Sequence, residues 1–377
     1  MNAVKEAGAQ VGLVDHHCHG VWKDDLTRAD FELLATESDW AQREGQTIFD
    51  SPFGLMIRSE CAPLLGLPRH CTADEYWARR AELGQAEVSR ILLGQLGMGR
   101  LLIDTGFRSP GILTMEEMSA ITGAPHNEIV RLEQVAEQVA EAGTSADTFA
   151  NDYFEALLRR AETAVGFKSI IAYRFGLDFD PDIPSDAAVR TAAGEWLRSL
   201  DGGRVRLDHP VLLRHILWTA VSFRKPIQFH VGYGDSDITM PRCDPTQMTE
   251  FVRRTVDSGI EIMLLHCYPF IREAGFLAQV YPHVWVDNGA AVNFTGPTSM
   301  RLMRELVEMA PFSKVLFSSD AFGLPELYYS GCLLWRRHLA AILNEWVDHD
   351  YMSVSDAIRY TEMMGRTNAL RAYRIEE

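Results

Sequence analysis

The chain has 377 residues, 47% of them hydrophobic, and its formal net charge at pH 7 is −16. This length and apolar content allow a large core and exclude a disordered or fibrous protein. The acidic charge balance argues against binding to nucleic acids or to anionic membrane surfaces. No apolar stretch approaches the length that spans a bilayer, so no membrane segment is expected.

Two features indicate a cytoplasmic location. The first residues, MNAVKEAGAQVG, lack the basic segment followed by an apolar segment that marks a secretory signal peptide. The cysteines are scattered without a CxxC pair, at Cys18, Cys61, Cys71, Cys243, Cys267 and Cys332. This pattern is typical of reduced thiols rather than of a disulfide framework.

The first predicted strand ends in a histidine-rich stretch, in which the apolar run 11–14 is followed by DHHCHG. Residues two apart on a strand point to the same side, so we expect His17 and His19 to project together, away from His16 and Cys18. Two neutral imidazoles are good ligands for a zinc-like ion and form half of a divalent-metal site. The alternative is a solvated histidine-rich turn.

Residues 21–97 have helical rather than strand character. Amphipathic helices are predicted over 31–40 and 73–96, and the second begins at Thr72-Ala73-Asp74-Glu75, which has the form of a capping box. The segment is too long for a simple connection between barrel elements, so we interpret it as an insertion. It is expected to be a lid, a subunit contact or scaffold.

From Gly99 onward, short apolar runs alternate with helical sequence. After the first strand, further strands are predicted at 100–106, 128–132, 164–174, 225–232, 260–266, 283–287 and 314–320. Eight such units predict a single α/β domain over residues 1–377, a (β/α)8 TIM barrel with the helical insertion and two C-terminal helices, 354–363 and 366–373. A doubly wound open sheet is the alternative, but no Gly-rich phosphate loop follows the first strand.

Polar residues recur at the ends of these predicted strands. They are His17, His19, Asp104, Lys168 and Tyr173 on the fourth strand, His230, His266 and Asp320. In a barrel all strand carboxyl ends open on one face, so these side chains should converge. Four histidines and an aspartate predict a site for a divalent metal, with zinc favoured, manganese or iron as alternatives, and one or two ions bound.

This order of ligands resembles the amidohydrolase superfamily, with H-x-H on strand one, histidines ending strands five and six, and an aspartate ending strand eight. The segments that carry the resemblance are FKSIIAYR at 167–174, GYGDSD at 232–237, LHCYPF at 265–270 and FSSDA at 317–321. Within the superfamily the chain is most similar to the amidohydrolase half of plant and fungal proteins fused to a glutamine-synthetase-like half. The resemblance implies a TIM-barrel hydrolase that acts on a small molecule.

The segment around Lys168 is similar to strand four of the dihydropyrimidinase and hydantoinase branch. By this resemblance, Lys168 would be carbamylated and bridge two metals, and Tyr173 would donate a hydrogen bond to the developing oxyanion. The alternative is a salt bridge from Lys168 to Asp104 beside a mononuclear site.

Asp320 is suited both to metal ligation and to proton transfer, which hydrolysis needs. Beside a metal-activated water, a carboxylate can ligate the metal, accept the proton of the water and later protonate the leaving group. His230 and His266 would complete the ligand set, and one of them, for which we take His266, would polarise the scissile carbonyl.

The substrate-binding residues are predicted next to these ligands. Arg174 is suited to hold a substrate carboxylate, because a guanidinium binds a carboxylate through two hydrogen bonds. The loop with Tyr233, Asp235 and Asp237 could bind an ammonium group, which would suit a γ-glutamyl amide. The alternative is a solvated loop fixed by Arg–Asp pairing.

Together these observations predict a metal-dependent hydrolase that cleaves an amide C–N bond of a small polar substrate. A lactone or ester hydrolase, a non-oxidative decarboxylase and a catalytically silent metal-binding barrel are the alternatives. A homo-oligomer is expected from the large insertion and from the common symmetry of soluble proteins.

Overall fold

The computed structural model describes residues 2–107, 109–200, 202–203 and 205–376. Parallel strands form one sheet in which each strand pairs with its successor along the chain. The strands are β1 Leu13–Cys18, β2 Met98–Asp104, β3 His126–Arg131, β4 Gly166–Ser169, β5 Ile227–His230, β6 Ile262–Leu265 and β7 Val284–Val286. Every residue of β1, β4, β5, β6 and β7 is buried, as expected for a parallel sheet covered on both faces.

The eighth predicted strand, 314–320, closes the barrel but is not a regular strand. Val315 forms an isolated bridge to β7, and the N–H of His16 on β1 donates to the Phe317 carbonyl (3.2 Å). The prediction of an extended strand through Asp320 was wrong, because the backbone turns there and Asp320 has a φ of 47°. The segment still joins β7 to β1, so the predicted α/β barrel is confirmed.

Helices surround this sheet, and both predicted C-terminal helices and the predicted helix from residue 73 are present. The helix predicted over 31–40 instead spans Arg28–Leu34, so that prediction was wrong in its extent. The α-helices are α1 Asn2–Gln10, α2 Arg28–Leu34, α3 Pro52–Met56, α4 Ala62–Leu64, α5 Ala73–Leu93, α6 Met115–Thr122, α7 Leu132–Glu141, α8 Phe149–Ala161, α9 Ile171–Arg174, α10 Asp186–Ser199, α11 Pro210–Ser222, α12 Thr249–Thr255, α13 Ile271–Val280, α14 Gly289–Thr295, α15 Met300–Met309, α16 Pro325–Asp348, α17 Val354–Glu362 and α18 Asn368–Ala372. None of the described helices is both long and apolar enough to cross a membrane.

The insertion is anchored to the barrel by α5. This helix begins with the predicted capping box, in which Thr72 and Glu75 bond to each other's backbone N–H. Further along, Arg80 forms a buried ion pair with Glu326 of α16 (Nε–Oε1 2.7 Å), and the Tyr76 hydroxyl donates to the same carboxylate (3.0 Å). A buried carboxylate needs such partners, so α5 is held in one position against α16.

The C-terminal helix α18 fills the amino-terminal end of the barrel. Arg374, just beyond it, donates to the carbonyls of Arg224 and Gly259, which precede β5 and β6. A second hydrophobic cluster joins the barrel interior to this helix, namely Val14, Leu102, Ile129, Met263, Leu265, Trp285, Leu316, Ala369, Leu370, Ala372 and Tyr373. With this end packed, the carboxyl end of the strands is left for a binding site.

Candidate active site

The carboxyl ends of the strands bring together the six side chains predicted as metal ligands. We call them the ligand cluster, and they are His17 on β1, His19 after β1, Lys168 on β4, His230 on β5, His266 after β6 and Asp320 in the closing segment. The period of two along a strand explains why His17 and His19 point into the same space. Cys18, between them in the sequence, points elsewhere, since its Sγ lies 3.6 Å from the Leu102 carbonyl.

Asp320 lies among the histidines of the ligand cluster. Its Oδ1 is 3.0 Å from His17 Nε2 and 3.6 Å from His19 Nε2, and its Oδ2 is 3.3 Å from His266 Nδ1. Donor atoms of His17, His19 and Asp320 all lie within 4.8 Å of one another. The imidazole of His230 completes the group, with its ring centroid 4.8 Å from that of His266.

The protonation states of these groups suit a divalent metal. Burial, with the nearby Lys168, lowers the pKa of His17 to about 3, and burial lowers the pKa of His266 to about 4. Although burial alone would raise it, the adjacent His266 and His17 hold the pKa of Asp320 well below its usual value. At neutral pH the imidazoles of His17 and His266 are therefore uncharged and the aspartate is ionised, which are the forms that ligate zinc-like ions.

Three buried nitrogens of the ligand histidines, His17 Nδ1, His230 Nε2 and His266 Nδ1, lack a hydrogen-bond partner within the described residues. His230 Nε2 is inaccessible to solvent and has no hydrogen bond within the described residues. Buried polar atoms are nearly always satisfied, so an orphaned imidazole nitrogen beside three other histidines fits a missing metal ligand. The residues present therefore fit a divalent metal.

Lys168 is part of this cluster without a carboxylate of its own. It is 2% exposed, and its Nζ lies 3.5 Å from His17 Nε2. The alternative salt bridge to Asp104 is not formed, because Asp104 pairs with Arg131 of β3 (Oδ2–Nη2 2.7 Å). Burial lowers the pKa of Lys168 to about 8, so its uncharged amine is accessible near neutral pH.

Two ligands occupy backbone conformations that non-glycine residues rarely adopt. His266 has a φ of 66° and Asp320 a φ of 47°, and each such residue costs about 1–3 kcal/mol. Specific hydrogen bonds hold both, since the His266 N–H donates to Asp287 Oδ1 (3.0 Å) and the Asp320 N–H donates to the His17 carbonyl (3.0 Å). These turns direct both side chains toward the centre of the barrel.

Beneath the ligand cluster lies a buried polar network around His16, which points away from His17 as predicted. His16 Nε2 is 2.9 Å from Asp287 Oδ2, and its Nδ1 is 3.0 Å from the Tyr373 hydroxyl. Gln228 Nε2 donates to that hydroxyl (2.8 Å) and to the His16 carbonyl (2.6 Å). The network joins Tyr373, just after α18, through His16 and Asp287 to the backbone of the ligand His266.

Tyr173 and Arg174 were predicted to lie on the fourth strand, and that prediction was wrong. The strand β4 ends at Ser169, and both residues lie on the short helix α9. Glu133 of α7 explains the change, because its Oε1 accepts hydrogen bonds from the Ser169 hydroxyl (2.7 Å) and the Ile170 N–H (3.0 Å). With that N–H occupied, the strand cannot continue, and the chain turns into α9.

The turn brings Tyr173 to the edge of the ligand cluster. Its ring centroid lies 4.3 Å from that of His230, and burial raises its pKa well above the usual value, so the phenol stays protonated. The loop after β5 covers this edge closely. A Cβ added to Gly234 would lie 2.3 Å from the Tyr173 hydroxyl and 3.1 Å from His230 Nε2, so a larger residue there would have to displace the Tyr173 side chain or the loop.

A cavity of about 580 Å³ opens from the ligand cluster. We call one set of its lining residues the charged wall, and they are Glu37, Asp39, Arg174, Arg206, Asp235 and Asp237. Of the predicted substrate-binding residues, Arg174, Asp235 and Asp237 line this cavity. Tyr233 does not, because its ring packs against Tyr268 and Phe294 instead.

The charged wall contains residues that the sequence analysis did not identify. Glu37 and Asp39 come from the insertion, and Arg206 comes from the segment before α11 and pairs with Asp237 (2.8 Å). Arg131 also lines the cavity, and its place at the end of the third predicted strand could have indicated this. No sequence signal indicated Glu37, because it follows α2 in an irregular part of the insertion.

Comparison with known proteins agrees with this geometry. The model of the family described as Amidohydrolase matches residues 131–375. Among curated proteins, Protein fluG of Emericella nidulans is 25% identical over 406 aligned residues, which cover 97% of this chain and 46% of that protein. The chain therefore spans about half the length of this relative.

Solved structures show the same architecture. A protein from Lactobacillus casei described as a metal-dependent hydrolase superimposes with a TM-score of 0.83 at 28% identity, covering 98% of this chain and 97% of that one. A uronate isomerase from Bacillus halodurans superimposes with a TM-score of 0.65 at 15% identity, covering 100% of this chain and 96% of that one. At 15% identity, the likeness to the uronate isomerase concerns the fold alone.

Proposed function

Since this chain belongs to the amidohydrolase family, we propose that it is a metal-dependent hydrolase that cleaves the amide C–N bond of a small polar substrate. The observation that carries the proposal is the convergence of three histidines, His17, His19 and His266, on Asp320 at the carboxyl end of the barrel, with the His230 ring beside that of His266. A γ-glutamyl amide is the favoured substrate because of the sequence resemblance described above.

The ligand cluster would hold a divalent metal through His17, His19, His230, His266 and Asp320. When bound, zinc, or manganese or iron in its place, would lower the pKa of a water to about 7 and polarise the substrate carbonyl. We propose Lys168 as a further ligand between two ions if it is carbamylated. A planar CO2 group on Nζ in a crystal structure would test this, and a bare ammonium would contradict it.

Asp320 and Tyr173 would carry the proton and the charge of the reaction. The ionised Asp320 accepts a proton from the attacking water and delivers it to the leaving nitrogen, so the carboxylate is regenerated. The protonated phenol of Tyr173 donates a hydrogen bond to the oxygen on which negative charge develops. His266 would assist by polarising the carbonyl, and Arg174 would hold a substrate carboxylate.

The test is a set of incubations of metal-loaded protein with γ-glutamyl amides, lactones and aromatic carboxylates. Release of ammonia or an amine is expected. Ring opening of a lactone would replace the amide proposal by a lactone or ester hydrolase, and release of CO2 would replace it by a decarboxylase. Turnover of none of these by protein that holds its metal would indicate a silent metal-binding barrel.

The cytoplasmic location, the homo-oligomeric state and the lid role of residues 21–97 are also proposals. The supporting observation for a lid is that residues 33–34 and 36–39 of the insertion contribute to the cavity wall. Sedimentation velocity at several concentrations tests the oligomeric state, with a species of at least twice the mass of the chain expected.

A further inference from the structure

The arginines that line the cavity are already paired with carboxylates. Arg174 pairs with Glu137 (3.1 Å) and Arg206 with Asp237 (2.8 Å). Arg131 is likewise paired, with Asp104. The Asp237 carboxylate is therefore neutralised, and its predicted role as an ammonium ligand loses support.

Two carboxylates of the charged wall have no such cation. Glu37 forms no hydrogen bond or ion pair within the described residues, and Asp235 accepts only the N–H of Asp237 (2.9 Å). A third, Asp39, accepts a short hydrogen bond from the Ser236 hydroxyl, which ties the insertion to the loop after β5. The link keeps Glu37 and Asp235 on the same cavity, although they are 198 residues apart in sequence.

An unpaired carboxylate in a half-buried position is unfavourable, because it has lost part of its hydration without gaining a partner. For Glu37 the effect is large, since burial, with the charges of Asp320, Asp235 and Asp39, raises its pKa to about 8. A ligand with a positive group placed here would restore the missing interaction. The protein itself provides none within the described residues.

A second, independent observation points to a ligand with a negative group. The Arg174 side chain is 7% exposed and lines the cavity, yet its Nε has no hydrogen-bond partner within the described residues. A guanidinium that uses one edge for Glu137 retains donors for a second carboxylate. The cavity is therefore lined by a guanidinium with a donor to spare and by two carboxyl groups without a cation, beside the same ligand cluster.

We infer that Glu37, assisted by Asp235, binds a primary ammonium of the substrate, while Arg174 binds its carboxylate, so that the site selects zwitterionic amino-acid derivatives. The inference rests on the proposed function for the reaction that follows binding. The binding preference itself does not depend on which bond is cleaved. Glu37 is then a specificity-determining residue contributed by the insertion, and it takes no part in the bond cleavage itself.

Binding of matched ligand pairs to the metal-loaded protein tests this without requiring turnover. Each pair consists of an amino acid and the same molecule without its α-ammonium, namely glutamate with glutarate, aspartate with succinate, and glutamine with its deaminated analogue. For at least one pair, calorimetry should show the ammonium-bearing member binding about tenfold or more tightly, as expected for charge-assisted hydrogen bonds. If no pair shows this preference, the inference is wrong, whatever the enzyme hydrolyses.

The variant Glu37→Gln should remove the preference by weakening the ammonium-bearing ligand about tenfold while leaving its deaminated partner within about twofold. Glu37→Asp should retain part of it, and Asp235→Asn should reduce it less than Glu37→Gln does. Glu44→Gln, at an exposed position of the same insertion, is the matched control and should bind like the wild type. Equal weakening of both members of a pair by Glu37→Gln would instead indicate a structural role and overturn the inference.

Failure of the proposed reaction has a different signature. If the protein prefers ammonium-bearing ligands but releases no ammonia or amine, the inference stands and the proposed amide hydrolysis is wrong. If it hydrolyses amides with and without an α-ammonium at equal kcat/KM, the proposed hydrolysis stands and the inference is wrong.

Discussion

The ligand cluster and the charged wall face the same cavity but are built in different ways. His17, Lys168 and His230 lie on strands, whose backbone hydrogen bonds fix them within the sheet. The charged wall comes from the insertion, the short helix α9, the segment before α11 and the loop after β5. Its members are joined by side-chain pairs such as Arg206–Asp237, in which both groups are at least one-third exposed.

This difference separates the chemistry from the selectivity. Because the ligand cluster is buried, unpaired charge there is unfavourable, and each member must have a defined protonation state and a fixed orientation. Exposed pairs contribute about 0–1 kcal/mol, so the charged wall can change with little cost to the fold. Loops on a rigid scaffold are where binding specificity is generally found. We therefore expect substitutions in the ligand cluster to abolish the reaction and substitutions in the charged wall to change which substrate is used.

The largest effect is expected from Asp320→Asn. The amide keeps the shape but can neither ligate a metal as an anion nor accept the proton of water, so kcat should fall about a thousandfold or more. The wild type should contain one or two divalent ions per chain by elemental analysis, and the variant fewer. Asp348→Asn, at an exposed position at the end of α16, is the control. Full activity of metal-free wild type would contradict the mechanism.

The same difference explains what the sequence could predict. The resemblance of four sequence segments indicated the family, and the alternation of strands and helices and the placement of polar residues at strand ends were sufficient for the barrel and the residues of the ligand cluster. They were sufficient because topology alone brings strand ends together. His266 and Asp320 were found in this way even though both have a left-handed backbone that no local pattern indicated.

The charged wall could not be predicted in this way. Glu37 is held at the cavity because Asp39, two residues on, accepts a hydrogen bond from the Ser236 hydroxyl of the loop after β5, a contact between residues 197 positions apart. The end of β4 depends on Glu133 capturing the Ile170 N–H, which an apolar run from 164 to 174 does not reveal. In both cases a long-range side-chain contact overrides the local signal.

Gly234→Ala tests how closely the two regions meet. Its new methyl would lie 2.3 Å from the Tyr173 hydroxyl and displace the loop after β5 from the ligand cluster. A displacement of this kind should lower kcat/KM about a hundredfold while the metal content stays as in the wild type. In the control Gly275→Ala on α13, the nearest atoms are 3.6 Å away, so activity should be unchanged. Loss of metal in Gly234→Ala would mean that the loop also supports the ligands.

The pH dependence of the free energy of unfolding tests whether the Glu37 carboxyl is buried without a partner. Its pKa is raised from 4.5 to about 8 in the folded protein, so the folded state favours the protonated form. Ionisation therefore destabilises the fold as pH rises from 4.5 to 8, by roughly 1 kcal/mol or less per pH unit. Urea unfolding of metal-free protein should show Glu37→Gln gaining stability over the wild type across this range, whereas Glu44→Gln should follow the wild type. A difference independent of pH would contradict the burial of an unpaired carboxyl.

The smallest effect is expected beneath the ligand cluster, at Tyr373. Tyr373→Phe removes the hydroxyl that lies 3.0 Å from His16 Nδ1 and 2.8 Å from Gln228 Nε2. Both partners are buried, so the free energy of unfolding should fall by about 1–2 kcal/mol. Tyr351→Phe is the control because Tyr351 is 78% exposed. Asp287 still holds His266 in the variant, so metal content and kcat should stay close to the wild-type values. A large loss of metal would instead show that α18 positions the ligands directly, and the amino-terminal end of the barrel would then be part of the active-site architecture.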